Sequence, residues 1–265
     1  QCTANTFISV GGGSIGIGGL VGQNSGPIQQ CFSTGKLSSY YYSYRFGGLV
    51  GDNVNGTIEN CYSSTKAICT YTYIKQVGGL VGRSSGGAIL NSYSTGQISP
   101  GTGASDVGGF IGLRVGTVTI NNCFWDTQTS TRTTSAGGTG KTTAEMKIVS
   151  TFTSATWDFV GESANGVHDI WRMCLDNTDY PRLSWEAAQQ GDYACSNGTN
   201  MDDLLALAAN WLSKESENAA LFNYACDANG DGITNLTELS ILSENWFLGG
   251  VISSLRTFLF TETTN

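Results

Sequence analysis

The sequence predicts a mainly β protein: a β-solenoid with coils of about 30 residues, then a small helical domain of paired calcium loop-helix units, then a C-terminal strand. Three observations predict this order. GGLVG occurs at 18–22, 47–51 and 78–82 and returns as GGFIG at 108–112. A complete twelve-residue calcium-loop pattern occupies 227–238. Residues 249–265 contain alternating apolar side chains typical of one strand, placed at about 251–262.

The composition excludes several classes of function. The chain has 265 residues, 36 of them Gly and only 3 Pro, with 13% charged residues and a net charge of −8. Scattered Lys and Arg, outnumbered by acids, argue against nucleic acid or an anionic membrane as a partner. No apolar run has the length of a transmembrane segment. Eight Cys together with a calcium-type motif favour an extracellular setting.

When the repeats are aligned on their glycine pentapeptides, further residues fall into columns. The columns are isoleucine (Ile28, Ile58, Ile89, Ile120), amide (Gln30, Asn60, Asn91, Asn122), cysteine or serine (Cys31, Cys61, Ser92, Cys123) and aromatic (Phe32, Tyr62, Tyr93, Phe124). Gln1 and Cys2 stand one repeat before Gln30 and Cys31. Stacked coils place such columns in ladders over residues 1–125, with glycines predicted at the corners because they adopt positive φ. A small propeller is disfavoured, since about 30 residues barely supply a four-stranded blade.

Residues 126–188 are predicted to cap and link the solenoid. A short helix is expected at about 143–149, started by Thr142 or Thr143 with Glu145 behind it. HDIWRMC and YPRLSWE are expected to form short strands that close the end of the solenoid. GGTGKTT at 137–143 lacks the first glycine of a phosphate loop, because Ser135 stands there, and is interpreted as a linker.

A second duplication, with an offset of 35, fills residues 189–248. It relates Leu204 to Leu239 and Leu207 to Leu242. The second copy fits the whole calcium-loop pattern, with Gly232 at the sharp turn. Its predicted calcium ligands are Asp227, Asn229, Asp231, the Ile233 carbonyl, Asn235 through water, and bidentate Glu238.

The first copy is a degenerate version of that loop. Its candidate ligands are Asp192, Ser196, Gly198, Asn200 and Asp203. Ala194 and Asn197 replace a ligand and the turn glycine, so weak calcium binding or none is expected. Cys195 and Cys226 are candidates for a disulfide between the two loops.

No catalytic constellation is evident, so the chain is predicted not to be an enzyme. His168 is the only histidine, and no G-x-S-x-G nucleophile elbow occurs. The acids of residues 1–125 are Asp52, Glu59 and Asp106, which share no column as paired carboxylates of a glycosidase would.

The repeat GGLVG…I.NCYS.G resembles the GLUG motif of secreted bacterial proteins over about 1–125, and the duplicated loop-helix pair resembles a dockerin type I domain over about 190–248. The first resemblance implies surface or matrix association without catalysis. The second implies calcium as the cofactor and a cohesin as partner. Dockerins often bind cohesins through Ser or Thr at loop positions 10 and 11. Those positions hold Met201 and Asp202, then Leu236 and Thr237.

These features predict a secreted structural protein of the bacterial surface that polymerises with itself into a filament or layer. Residues 251–262 are the expected strand for pairing with a neighbouring subunit, or else they pack on their own domain. The alternative function is an adhesin or scaffold component held by a cohesin. A polysaccharide-acting enzyme is a third and weaker hypothesis.

Overall fold

The computed structural model describes residues 1–40, 42–69, 73–174, 176–189, 191–193, 199, 201–214, 226–229 and 231–245. The chain divides into two compact units. One comprises Gln1–Trp157 with Asp176–Tyr180, and the other Asp158–Leu175 with Pro181–Asn265. The C-terminal strand predicted at 251–262 lies outside the described residues.

The first unit is a parallel β-solenoid of four coils, as the repeats predict, with one further strand at its start. Each coil has four walls, and the strands of each wall pair with those of the next coil. The long wall contains β1 (Cys2–Val10), β5 (Cys31–Ser39), β9 (Tyr62–Ser63), β10 (Lys66–Cys69), β14 (Tyr93–Ser94), β15 (Ile98–Ser99), β19 (Phe124–Asp126) and β20 (Thr139–Lys141). The second wall contains β2 (Ile15–Gly18), β6 (Tyr44–Gly47), β11 (Lys75–Gly78) and β16 (Ser105–Gly108). The third contains β3 (Val21–Asn24), β7 (Val50–Val54), β12 (Val81–Ser85) and β17 (Ile111–Val115). The fourth contains β4 (Pro27–Gln29), β8 (Thr57–Glu59), β13 (Ala88–Leu90) and β18 (Thr119–Asn121).

The strand register confirms the predicted columns. Every isoleucine of the fourth wall faces the next one along, from Ile28 to Ile120. Cys2 pairs with Cys31, which confirms that the first residues are in register with the repeat. The aromatic column is a stack: the ring of Tyr62 lies 4.8 Å from that of Phe32 and 5.0 Å from that of Tyr93. Side chains of one type therefore pack in ladders along the solenoid.

The corner between the fourth wall and the long wall is formed by the amide column and not by glycine. Gln30, Asn60, Asn91 and Asn122 have φ of 49°, 51°, 43° and 54°. Asn is one of the few non-glycine residues that enters this left-handed region readily. None of the described glycines of the four pentapeptides has positive φ. Gly86 and Gly87, between β12 and β13, and Gly116, between β17 and β18, do have it, so glycine forms corners as predicted but at other positions.

The cysteine column completes this corner. The thiols of Cys31, Cys61 and Cys123 donate to the carbonyl two residues earlier, at 3.0, 3.1 and 3.2 Å. Ser92 makes the same bond with its hydroxyl, at 2.7 Å. Because a hydroxyl and a thiol both donate one hydrogen, serine can replace cysteine there. The column is thus a ladder of buried donors, one of the two interpretations open from sequence.

Asn60→Ala tests the corner. We expect a loss of about 1 to 2 kcal/mol in the free energy of unfolding, because alanine lacks the local hydrogen bonding that helps Asn adopt positive φ. Asn60→Gly should stay within about 0.5 kcal/mol of the wild type, since glycine adopts this φ without steric cost. Urea unfolding followed by circular dichroism measures both. Equal destabilisation by Ala and Gly would show that the Asn side chain, and not φ, matters there.

The pentapeptide glycines lie between two hydrophobic cores, where opposite sides of the coil come close together. One core is built from Leu49, Val50 and Ile58 with their equivalents, and the other from Leu37, Phe46 and Val77 with theirs. Between the cores, Ser33 of the long wall donates a 2.7 Å hydrogen bond across the coil to the Gly48 carbonyl. A Cβ on Gly51 would lie 2.6 Å from the Gly22 carbonyl oxygen and from the Ile17 nitrogen. Glycine is needed here because backbone segments touch.

The end of the last coil is covered by residues that follow it. The backbone of 130–136 bonds to the last turns, with Ser130 O accepting from Ile98 N and Ala136 N donating to Ile111 O. GGTGKTT is not a free linker, because its residues Thr139–Lys141 form β20 beside β19. Phe152 and Trp157 then pack on the ring of Phe124, at centroid distances of 5.5 and 5.9 Å.

The short helix of this cap starts as predicted but is shorter. The Thr142 backbone nitrogen and hydroxyl both donate to the Glu145 carboxylate at 2.8 Å, and the Glu145 nitrogen donates back to the hydroxyl. This capping box begins a single 3-10 turn, Glu145–Lys147, followed by α1, Val149–Thr153.

The second unit contains the remaining described elements. HDIWRMC and YPRLSWE do form strands, and β21 (Trp171–Arg172) and β22 (Arg182–Leu183) pair antiparallel with each other. Their helices are α2 (Ser184–Gln189), α3 (Met201–Ala209) and α4 (Leu236–Asn245). Leu207 and Leu242 are buried in one cluster, and Leu204 and Leu239 pack against it, in agreement with the offset of 35.

Candidate calcium-binding loop

The loop 227–238 has a backbone folded around its own acidic and amide side chains. The Asp227 carboxylate accepts hydrogen bonds from Asp231 N at 3.1 Å and from Gly232 N at 3.0 Å. Asn229 Oδ1 accepts from Asp231 N, and Asp231 Oδ1 accepts from Ile233 N. Gly232 has φ of 76°, the sharp turn that its position in the pattern predicts. Since each oxygen has two lone pairs, these bonds leave acceptor capacity for a cation.

Glu238, the last predicted ligand, begins α4 and is fully buried. Its Oε2 accepts a 2.7 Å hydrogen bond from Asn235 N. Its Oε1 is buried and has no hydrogen-bond partner among the described residues. A buried carboxylate oxygen without a partner is costly, and a divalent cation would satisfy it. The residues present therefore fit calcium, which prefers oxygen ligands.

The degenerate loop is described only in part. Asp192 and Asp203 are described, whereas Ser196, Gly198 and Asn200 lie outside the described residues. Asp203 is fully buried at the position that corresponds to Glu238. Tyr193 donates a 2.6 Å hydrogen bond to the Glu238 carbonyl, which links the two copies. This contact places the starts of the two loop-helix units side by side.

Arg172 is a residue of this region that the sequence analysis missed. Its side chain lies on β21, is largely buried, and donates through Nη1 to the Asp192 carbonyl at 3.4 Å. Burial lowers the pKa of Arg172, while Asp192 and Asp203 oppose that shift. A guanidinium therefore faces the acids of the degenerate loop. Because Arg172 and Asp192 are 20 residues apart, no local sequence pattern predicts their contact.

The expected disulfide between the loops is wrong. Cys226 is a free, buried thiol whose pKa burial raises to about 12, and it donates to the Ala206 carbonyl at 3.6 Å. Cys174 of the same unit is disulfide-bonded.

Within the described ranges, no group of three His, Cys, Asp or Glu side chains lies close enough together to form a metal cluster. The other candidate calcium ligands of the loop 227–238 are amide and backbone oxygens.

The three acids of residues 1–125 are not brought together. Asp52, Glu59 and Asp106 lie on the third, fourth and second walls respectively. Asp52 is buried and pairs with Arg45 at 2.9 Å and with Arg83 of the next coil at 3.6 Å. The pair with Arg83 joins neighbouring coils, whereas the pair with Arg45 lies within one coil.

Comparison with known proteins agrees with the geometry of the first unit. The family described as "The GLUG motif" matches residues 42–68 and 75–99, which cover the second coil and most of the third. The chain contains GLUG repeats.

A protein of Evansella cellulosilytica, named as a Gly-rich membrane protein, is 33% identical to the GLUG-repeat chain over 157 residues. The alignment covers 58% of this chain and 13% of that protein's length. No solved structure matches the chain. Among the helices that the structure describes, none is long and apolar enough to cross a bilayer.

Proposed function

We propose that this protein is a secreted, non-enzymatic structural component of the bacterial surface, whose solenoids join end to end into a filament or layer. The observation that carries the proposal is that the strands of the first coil lie at sheet edges and expose apolar side chains. Strands β2, β3 and β4 each lie at the edge of their sheet, and β1 pairs with β5 alone. Phe7 on β1 is 80% exposed and Ile15 on β2 is 63% exposed. Edge strands with exposed apolar side chains favour pairing with another strand.

The other end of the solenoid supports a directional contact. The last coil is covered by residues 130–136 and β20, as described above. In this proposal the contact joins two unlike faces head to tail, and such a contact produces filaments when it does not close. Residues 251–262, whose sequence predicts a strand, are the candidate for pairing with the first coil of a neighbour. The name of the Evansella relative supports a location at the cell surface.

Phe7→Lys tests this assembly. We expect the full chain to form elongated particles in negative-stain electron microscopy and large species in sedimentation velocity. Phe7→Lys should shift the distribution to monomers, because a charge on an edge strand opposes pairing. Val167→Lys is the control, since Val167 is 47% exposed in the other unit. Monomers for wild type at all concentrations, with and without calcium, would contradict the proposal.

Calcium in the loop 227–238 would stabilise the second unit in this proposal. Asp227, Asn229, Asp231, the Ile233 carbonyl, Asn235 and Glu238 would hold the ion, with Glu238 Oε1 gaining its missing partner. In the degenerate loop, the charge of Arg172 would offset Asp192 and Asp203 without a metal.

An adhesin or scaffold component, held by a cohesin, is the alternative function. It is favoured by an open apolar cleft of about 410 Å³ between α3 and α4, lined by Leu204, Leu207, Ala208, Trp211 and Leu239. Exposed apolar surface of this kind often marks a protein-binding site. Capture of the chain by immobilised cohesins, lost in an Asp227→Ala variant, would support this function over self-assembly. A polysaccharide-acting enzyme has no such support from the acids described above.

A further inference from the structure

Three thiols lie beside one another at the start of the long wall. Cys2 of β1 pairs in register with Cys31 of β5. The register of β5 and β9, in which Phe32 faces Tyr62, places Cys61 next to Cys31 on the other side. Cys31 therefore lies between Cys2 and Cys61 in this column. All three are free cysteines in this structure.

The three thiols differ in exposure and in acidity. Cys2 is exposed, Cys31 is 5% exposed and Cys61 is fully buried. The Cys61 side chain lowers the pKa of Cys31, whereas burial raises the pKa of Cys61 well above its ordinary value. A lowered pKa increases the fraction of Cys31 present as thiolate, the form that attacks disulfides. Burial keeps Cys61 a thiol, whose hydrogen is donated to the Glu59 carbonyl.

We propose that Cys2 and Cys31 are a site of disulfide formation that covalently ties β1 to β5. Neighbouring strands lie about 4.7–4.9 Å apart. Residues paired in register therefore fall within the Cα separation of about 4.4–6.8 Å found in disulfides. Cys61 is the buried neighbour on the far side of Cys31 and takes no part in the bond.

The oxidant is a low-molecular-weight disulfide, and the exchange occurs in two steps. The exposed Cys2 thiolate first attacks one sulfur of that molecule, which forms a mixed disulfide on Cys2 and releases one thiol. The Cys31 thiolate then attacks the Cys2 sulfur, which forms the Cys2–Cys31 bond and releases the second thiol. Two protein thiols are oxidised by two electrons, and the small disulfide is reduced to two thiols.

The bond would secure the strand that lies at the edge of the first coil. In the described chain β1 is paired with β5 alone, so this strand is held on one side. A cross-link between Cys2 and Cys31 removes conformational freedom of the unfolded chain between them. The inference stands on the geometry of the column and is independent of the proposed assembly.

Thiol mapping tests the proposal. The full chain is purified with reductant, equilibrated with oxidised glutathione, alkylated, digested without reduction and analysed by mass spectrometry. We expect a peptide pair linked through Cys2 and Cys31, and a urea midpoint that is higher in the oxidised than in the reduced chain. Cys2→Ser should abolish both the linked pair and the shift, and its exposed position makes the fold insensitive to the change.

Cys123→Ser is the matched control, because Cys123 occupies the same column but has Ser92 on the preceding coil. It should keep the Cys2–Cys31 pair. Cys61→Ala should keep the pair and slow its formation near neutral pH, because alanine cannot lower the pKa of Cys31 as the Cys61 side chain does. A stable glutathione adduct on Cys2 with Cys31 still alkylated after unfolding would overturn the proposal. So would a Cys31–Cys61 link in the wild type.

Discussion

Gly51→Ala is expected to destabilise the solenoid by about 4 kcal/mol or more, the range of the largest single substitutions. The added Cβ would lie 2.6 Å from the Gly16 carbonyl carbon, the Gly22 carbonyl oxygen and the Ile17 nitrogen. All three atoms belong to the backbone of the preceding coil, so no side-chain rotation can relieve the contact. The measurement is urea unfolding of the first unit in the full chain, followed by circular dichroism and by the fluorescence of Trp125 and Trp157.

Gly26→Ala is the matched control for this substitution. A Cβ on Gly26 would meet nothing within 4 Å, and Gly26 does not have positive φ. We expect it to be neutral or to stabilise the chain by up to about 1 kcal/mol, because alanine restricts the unfolded state. If Gly51→Ala and Gly26→Ala unfold at the same urea concentration, the close approach of the coils is not what requires glycine at position 51.

Calcium is expected to stabilise the second unit by about 2.7 kcal/mol when its free concentration is about 100 times the dissociation constant. Glu238→Gln should remove most of this gain, since it replaces the buried, partnerless Oε1 and the charge of a ligand at once. The measurement is thermal unfolding of the full chain with calcium and with a chelator. Isothermal titration of the two proteins with calcium gives the affinity directly.

Glu244→Gln is the control for that experiment. Glu244 lies on the same helix as Glu238 but is exposed, and its replacement by Gln removes the same formal charge. It should leave the calcium-dependent shift unchanged. Should calcium stabilise neither protein, or stabilise wild type and Glu238→Gln equally, the loop 227–238 is not the calcium site.

The ladders could be predicted from the sequence because a solenoid places equivalent residues in contact. Ile58 lies beside Ile28 and Ile89 for the same reason that the three align in the sequence. The capping box of Thr142 and Glu145 was also predictable, since its bonds join residues three apart. The sharp turn at Gly232 in the loop 227–238 also followed from a fixed local spacing.

Other features were mispredicted because they depend on contacts distant in sequence. The pentapeptide glycines suggested positive φ, but the contacts of Gly51 with Gly16, Ile17 and Gly22 arise only when the coil narrows. The interpretation of 137–143 as a linker failed because β20 pairs with β19, from which it is separated by a loop of about a dozen residues. Arg172 reaches Asp192 through the pairing of β21 with β22, which no local pattern encodes.

The sequence by itself determined the period of the coil, the order of its columns and the sharp turn in the loop 227–238. Each of these is a one-dimensional pattern that stacking or a short loop converts directly into contacts. The tertiary structure alone decided that Asn60 and its equivalents form a corner with positive φ and that the pentapeptide glycines lie between two cores. Those outcomes depend on how each coil closes on itself and on the coil beside it, which is a property of three-dimensional packing.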